Sequence, residues 1–212
     1  MMTHTHRNPV PTWRERLLAA VSPLQSGVGN LPISGYRPSG SECFRPHRTA
    51  AVLVPVLELD LPEVVLTRRA DHLLHHPGQV SFPGGAAERH DRTAVQTALR
   101  EAYEEIGLPA ERTTPIGFID RLDTISDYRV LPVVALVEPP VIWKLDRREV
   151  AEVFSVPLTV VLDRSRYEER VVVRNGEPCT IWYLQWHEHT IWGATAAMLL
   201  NLASRLESSH VQ

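Results

Sequence analysis

The residues of this sequence with the clearest capacity for chemistry lie in one acidic segment, LREAYEEIGL, at positions 99–108. At 100° per residue, Arg100, Glu101, Glu104 and Glu105 fall within an arc of about 140°, and apolar residues cover the opposite side of the helix. Like charges at these i,i+3 and i,i+4 spacings repel by roughly 0.2–0.5 kcal/mol per pair. The glycine that follows marks the C-terminal end of the helix, where the helix dipole also disfavours carboxylates. Residues that break local rules in this way are typical of functional sites.

A divalent cation would reverse this repulsion, because Mg²⁺ prefers carboxylate oxygens together with substrate phosphates. The alternative interpretation is a solvated acidic face. Taken alone, an acidic run of this kind is more often such a face than a functional site. The segment just upstream favours the functional interpretation. Phe82 precedes a proline and is restricted to an extended conformation, while Gly84 and Gly85 allow a ligand or ion to approach the backbone closely.

Several elements must position these residues. Apolar residues recur at helical spacing from Thr93 to Ile106 and predict a helix that carries the acidic segment. Short β-branched runs predict strands, and a bent or edge placement is expected for one of them at Pro132. Residues 149–163 are ambiguous between strand and short helix. The remaining predicted elements are strands at 50–59, 63–69, 115–120 and 128–137, a hairpin over 167–186 turning at Asn175-Gly176, and helices at 13–21 and 191–206.

The order of strands, helix, strands and helix, with mostly antiparallel cues, predicts an α+β fold in which helices pack on a mixed β-sheet. Three regions are expected along the chain. Residues 1–45 are expected to form an N-terminal helix and irregular arm, residues 46–207 the main domain, and residues 208–212 a disordered tail.

Composition excludes several classes of protein. Lys and Arg number 22 against 25 Asp and Glu, so the net charge of −3 argues against a nucleic-acid-coating protein. No apolar run reaches the roughly 18 residues needed to cross a bilayer, and the N-terminus lacks the apolar core of a signal peptide. Cys43 and Cys179 lie far apart without CxxC spacing, so neither a disulfide framework nor a zinc ribbon is expected. His72, His75 and His76 precede Pro77-Gly78 without a nearby fourth zinc ligand. We therefore expect a cytoplasmic protein with neither membrane nor nucleic-acid partners.

On these residues the chain resembles the Nudix hydrolases. The second half of their signature is complete in Arg100-Glu101-Ala102-Tyr103-Glu104-Glu105-Ile106-Gly107-Leu108. Counted from Gly85, the first half has Asp91 in place of glutamate, and eight residues rather than seven separate Asp91 from Arg100. The same extension and aspartate are similar to the Nudix subgroup that acts on coenzyme A.

That subgroup carries a further stretch before the signature, which residues 65–70, 73–78 and 82–85 match without gaps. Two positions differ, because Ala70 stands where serine is usual and Leu74 where arginine is usual. The resemblance covers roughly residues 49–206. It implies a Nudix-type α/β/α sandwich with the mixed sheet between helices.

The resemblance also implies an activity, which is Mg²⁺- or Mn²⁺-dependent hydrolysis of the pyrophosphate bond of a small-molecule substrate, coenzyme A or its derivatives. The products would be 3′,5′-ADP and 4′-(acyl)phosphopantetheine. Two alternatives stay open. One is a Nudix pyrophosphatase for another nucleoside diphosphate derivative, such as ADP-ribose, NADH or a dinucleoside polyphosphate. The other is a non-catalytic nucleotide-binding domain, against which the complete set of acidic residues argues. A monomer and a homodimer are both compatible with the sequence.

The resemblance assigns roles to individual residues. Glu101 and Glu105 are the expected principal metal ligands, and Glu104 is a third ligand or an outer-shell base. The Gly85 carbonyl is a further candidate ligand, while Arg100 orients the glutamates.

The general base stays open among Glu104, Glu149 and Glu152. Four residues are candidates for binding substrate, and Arg69 is favoured among them because it aligns with the arginine of the upstream stretch. They are Arg69, Arg68, Phe82 and Gly84.

Overall fold

The structure is a computed structural model that describes residues 11–35, 48–124, 127–174 and 177–209. Parts of the predicted arm, the predicted Asn175-Gly176 turn and most of the predicted tail lie outside these ranges. None of the helices within them is long and apolar enough to span a membrane.

Four α-helices and twelve strands occur in the described ranges. The helices are α1 (Trp13–Ala20), α2 (Ala94–Ile106), α3 (Leu158–Leu162) and α4 (Ala194–Ser208). The strands are β1 (Ile33–Gly35), β2 (Arg48–Leu57), β3 (Glu63–Arg69), β4 (Val80–Ser81), β5 (Gly84–Ala86), β6 (Thr113–Phe118), β7 (Arg121–Asp123), β8 (Tyr128–Val137), β9 (Val150–Pro157), β10 (Tyr167–Arg174), β11 (Glu177–Trp186) and β12 (His189–Trp192).

Nine of these strands form one mixed sheet, whose path runs β1-β7-β8-β2-β3-β4, with β5, β6 and β9 attached to β2, β8 and β3. The central pair, β2 and β8, is parallel and stays in register from Arg48 opposite Tyr128 to Leu57 opposite Val137. Most other pairs are antiparallel, as expected. The mixed sheet is therefore confirmed, with a parallel pair at its centre.

Helices cover both faces of this sheet. Side chains alternate along a strand, so Ala51 and Leu53 of β2 pack with α2, whereas Val54 and Val56 pack with α1, α3 and α4 on the other face. Each face therefore has its own buried apolar core, which confirms the predicted α/β/α sandwich. The antiparallel sheet β10-β11-β12 adds Leu184 and Ile191 to the α4 core.

Helix α2 begins and ends where its sequence dictates. The Thr93 side chain accepts a hydrogen bond from the Gln96 amide and caps the N-terminus. Gly107 ends the helix in the left-handed conformation, at φ 68°. The following loop then returns to the last turn, because the amides of Lys144 and Asp146 donate to the carbonyls of Ile106 and Glu105. Residues 144–146 are thereby fixed against the acidic end of the helix.

Two expectations about individual elements need correction, and one ambiguity is resolved. Pro132 lies in a central strand rather than at an edge, at the point where the partner of β8 changes from β7 to β6. A missing amide is tolerated there, because the ladder is interrupted on that side. Residues Ile191 and Trp192 end strand β12, and α4 begins only after Gly193. The ambiguous segment 149–163 contains both a strand, β9, and a short helix, α3.

The described part of the predicted N-terminal arm packs on the domain. Helix α1, capped by Thr12 and Glu15, contributes Leu17 and Ala20 to the core that α4 occupies. Farther along, β1 pairs in parallel with β7, and Ser22 bridges to Phe118. Residues 11–35 thus extend the sandwich at one edge.

Substitution Leu199→Ala tests the α4 layer. Leu199 is fully buried in the core beneath α4, so its truncation leaves a cavity and should lower the free energy of unfolding by about 2–5 kcal/mol. Chemical denaturation measures this. Leu61→Ala, at a site that is 72% exposed, is the control and should change stability little; equal effects of the two substitutions would contradict the described packing.

Candidate active site

The turn before α2 brings backbone and carboxylates into close contact. The amide of Gly84 donates a hydrogen bond of 3.1 Å to Oε2 of Glu105. A Cβ atom on Gly85 would lie 2.6 Å from the carboxylate of Glu101, and one on Gly84 would lie 2.5 Å from the carbonyl oxygen of Ala51. Gly84 is therefore required by its close approach to the backbone of β2, and a side chain at Gly85 would have to displace the Glu101 carboxylate.

Glu105 is a buried carboxylate, with 5% of its surface exposed. Its pKa is raised to about 8, chiefly by burial and also by the charges of Glu101 and Glu149, while the Gly84 amide and the charge of Arg69 oppose the rise. Burial also raises the pKa of Glu101, which Arg100 counteracts. The two carboxylates thus share a pocket in which negative charge is poorly compensated by the protein's own groups.

Arg100 holds the acidic face in order. Its Nη1 donates to Oε1 of Glu101 at 2.9 Å and to Oε2 of Glu104 at 3.0 Å. On its other side, Nη2 donates to Asp91 at 2.8 Å, and these hydrogen bonds hold the pKa of the buried Asp91 far below its usual range. Asp91, which takes the glutamate position of the signature, therefore anchors the guanidinium that positions Glu101. The Glu104 side chain is 56% exposed and binds Arg100.

Arg69 lies at the end of β3 on the side of these carboxylates. Its charge lowers the pKa of Glu105. Its Nε is buried and has no hydrogen-bond partner among the described residues. Arg69 is therefore a cation close to Glu105, and its charge can offset that of an anionic ligand bound there.

A β-bulge separates the two downstream acidic residues. Strand β9 pairs Arg68 with Glu152 but Arg69 with Val150, so Ala151 is the extra residue. A bulge re-aims the side chains beyond it. Val150 and Val153 accordingly pack on the α2 face, while Phe154 packs on the α4 face. The charge of Glu149 acts on both Glu101 and Glu105, whereas Glu152 approaches Arg68 and His189.

Two residues predicted to bind substrate are placed elsewhere. Phe82, in the short connection between β4 and β5, is 2% exposed, and its apolar side chain belongs to the core on the α4 side. Arg68 pairs with Asp71 at 2.7 Å and with Glu152 at 3.5 Å, rather than with the glutamates of α2. The structure therefore brings together Glu101, Glu105, Gly84, Gly85 and Arg69, with Glu149 as an additional acidic group.

The sequence interpretation also missed one group of ligand-type side chains. Glu152 lies close to Glu188 and His189, at the start of β12. The signal for this group in the sequence is the run His187-Glu188-His189. Of the histidines around residue 75, His72 contacts the carbonyl of Arg148 through Nε2 at 3.1 Å.

The raised pKa of Glu105 predicts a pH dependence of stability in protein stripped of divalent ions. The unfolded chain releases the Glu105 proton at about pH 4.3. The folded protein retains this proton to higher pH, because the pKa of Glu105 is raised to about 8. Between these values the folded state binds more protons, so the free energy of unfolding falls as pH rises. Relative to Glu105→Gln, the wild type should lose on the order of a few kcal/mol between about pH 5 and about pH 9.

Denaturation in the presence of a chelator, repeated across this pH range, measures the difference. Glu111→Gln, at an exposed position, is the control and should follow the wild type. If the Glu105→Gln and wild-type curves run parallel, Glu105 is not the buried acid described above.

Comparison with known proteins accords with this geometry. The model of the NUDIX domain family matches residues 46–175. A protein of Enterobacter sp. (strain 638) named uncharacterized Nudix hydrolase NudL is 39% identical over 171 residues, covering 80% of this chain and 88% of that relative. Its counterpart in Salmonella paratyphi B is 41% identical over 161 residues, covering 76% of this chain and 83% of that relative.

Among solved structures, the MutT protein from Methanosarcina mazei Go1 aligns with a TM-score of 0.52 at 16% identity, covering 80% of this chain and 99% of that one. This similarity supports the fold. The family match spans more than half of the chain and contains the acidic helix, the glycine turn and Arg69. The protein therefore belongs to the Nudix hydrolase family.

Proposed function

We propose that this protein hydrolyses the pyrophosphate bond of coenzyme A or its derivatives, releasing 3′,5′-ADP and 4′-(acyl)phosphopantetheine. Nudix membership supplies the pyrophosphatase chemistry. The choice of substrate is supported by the stretch at 65–85 that resembles the coenzyme A subgroup, and by the Asp91 variant of the signature. The observation that carries the catalytic part is Glu105, a buried carboxylate next to Glu101.

Members of this family generally use divalent metal ions, and the residues present fit such an ion. Glu105 and Glu101 are oxygen donors in a pocket that burial makes unfavourable for their charges, and a cation would remove that cost. In this proposal Glu101 and Glu105 hold Mg²⁺ or Mn²⁺, with the Gly85 carbonyl and Glu104 as further ligands. When bound, the ion polarises phosphoryl oxygens and lowers the pKa of a water molecule.

The chain's own residues have three tasks in this proposal. Arg100, anchored by Asp91, keeps Glu101 oriented toward the glycine turn. Arg69, whose charge lowers the pKa of Glu105, offsets negative charge during phosphorus–oxygen cleavage. Glu149 accepts a proton from the attacking water as the new phosphorus–oxygen bond forms and the bridging oxygen leaves with the second phosphate.

Glu149 is the preferred base among the three candidates for geometric reasons. Its charge raises the pKa of both Glu101 and Glu105, and its side chain is exposed to water. Its loop is tied to α2 by the Asp146 amide, which donates to the Glu105 carbonyl at 2.9 Å. Glu152 faces Arg68 across the bulge, and Glu104 binds Arg100.

Turnover of Glu105→Gln tests the assignment of the metal ligands. Removing a ligand should lower turnover in Mg²⁺ by at least about 100-fold, since even outer-shell substitutions commonly cost about 10–100-fold. Glu111→Gln serves as the control, and thermal unfolding verifies that both variants fold. Full activity of the Glu105→Gln variant would refute the assignment.

The substrate is tested by incubating the wild type with Mg²⁺ and, in parallel, coenzyme A, ADP-ribose, NADH and a diadenosine polyphosphate. Mass spectrometry identifies the products. Release of 3′,5′-ADP that is fastest from coenzyme A supports the proposal. Faster turnover of another compound would support the alternative of a Nudix pyrophosphatase for that nucleoside diphosphate derivative. Tight binding without turnover would support a non-catalytic nucleotide-binding domain.

Gly85→Ala tests the contact between turn and helix. The added methyl group would lie 2.6 Å from the Glu101 carboxylate and must displace it, so half-maximal activity should require several-fold more Mg²⁺, about tenfold by analogy with disturbed outer-shell contacts. Gly29→Ala is the matched control, since a Cβ there meets no atom within 4 Å. An unchanged Mg²⁺ requirement in the Gly85→Ala variant would mean that Glu101 does not bind the ion.

A further inference from the structure

A second group of ligand-type side chains lies away from the acidic helix. One ligand atom from each of Glu152, Glu188 and His189 lies within 4.8 Å of the other two. Nε2 of His189 is 3.5 Å from Oε1 of Glu152 and 3.8 Å from Oε1 of Glu188. These separations exceed those of ordinary N–H···O hydrogen bonds.

His189 is the feature that points to a ligand. It is 7% exposed, and its ring stacks on Phe154 with centroids 3.8 Å apart and planes 9° apart, which fixes the direction of Nε2. Its polar side-chain contacts in the described residues are limited to the two carboxylates. Neither carboxylate lies within ordinary hydrogen-bond distance of Nε2, so this ring nitrogen is presented to the space between Glu152 and Glu188, where it can ligate an ion.

The charges around this space leave it negative. The second oxygen of Glu152 lies 3.5 Å from Arg68, which in turn binds Asp71 at 2.7 Å. The three carboxylates of Glu152, Glu188 and Asp71 against the one guanidinium of Arg68 leave a net charge of −2 on these side chains, which a divalent cation would balance. The side chains of Glu152 and Glu188 are 40% and 76% exposed, so an ion can enter from solvent.

We propose that Glu152, Glu188 and His189 bind a divalent transition-metal cation of the zinc type, separate from the ion expected at the acidic helix. One imidazole nitrogen and two carboxylate oxygens, with water in the fourth position, suit Zn²⁺, whereas Mg²⁺ takes oxygen ligands. Arg68 acts as the outer partner that orients Glu152. The bulge at Ala151 turns Glu152 away from Glu149 and so keeps the two sites apart.

The ion would join the two sheets of the protein. Glu152 belongs to β9 of the nine-stranded sheet, whereas Glu188 and His189 lie at the turn into β12 of the three-stranded sheet. A ligand that binds only the folded state raises its stability. Zinc should therefore stabilise the folded protein through this cross-link, independently of whether the proposed hydrolase substrate is correct.

The experiment is calorimetric titration of the full chain with Zn²⁺ in saturating Mg²⁺, which occupies the acidic helix. Wild type, Glu188→Gln and His189→Gln are compared, with Glu168→Gln, a similarly exposed residue of the same small sheet, as the control. The chain has 10 histidines, so zinc bound elsewhere contributes equally to every variant. The wild type and the control should bind one more zinc ion than the two ligand variants, or bind it at least about tenfold more tightly.

Thermal unfolding provides the second readout, in which Zn²⁺ should raise the Tm of the wild type and the control more than that of Glu188→Gln. This variant changes an exposed side chain and keeps the test valid should His189→Gln fail to fold. Equal zinc stoichiometry and affinity in the wild type and Glu188→Gln, or no zinc binding to the wild type, would overturn the proposal. Loss of the zinc site with unchanged Mg²⁺-dependent hydrolysis would support it.

Discussion

The local structure of the active site depends on one unfavourable interaction, the burial of the Glu105 carboxylate next to Glu101. Protein groups compensate only part of this charge, through the Gly84 amide and the more distant guanidinium of Arg69. The remaining features follow from it. Glycine is needed at the turn because the carboxylates approach the backbone, and Arg100 is needed because Glu101 and Glu104 would otherwise repel each other without restraint.

The fold and the centre of the site were predictable because their signals are local. Helix α2 has a capping threonine, an apolar face and a terminal glycine, and all three lie within one stretch of sequence. The β-branched runs likewise predict the strands. The acidic residues that would meet were predictable too, since helical spacing fixes which side chains share a face.

What the sequence could not provide depends on contacts between distant residues. One additional residue in β9 decides whether Glu149 or Glu152 lies near the carboxylates of Glu101 and Glu105. Pairing register is a property of two strands, so one strand's sequence does not reveal it. The burial of Phe82 also depends on distant residues. Its neighbours in the glycine turn suggest contact with a ligand, but packing in the α4 core buries its side chain. Pro132 is accommodated in mid-sheet because the partner strand changes beside it. His189 lies near Glu152 only after the second sheet docks.

The parallel pairing of β2 with β8 has a consequence for how the protein assembles. The two strands are separated by roughly seventy residues of chain, and that intervening stretch contains the glycine turn and the whole of α2. Closing so large a loop is entropically unfavourable, and native contacts of high sequence separation slow folding. During translation, the sheet on which the acidic helix packs is incomplete until the chain through Val137 has emerged from the ribosome. Catalytic competence therefore comes late in synthesis, after the centre of the sheet is complete.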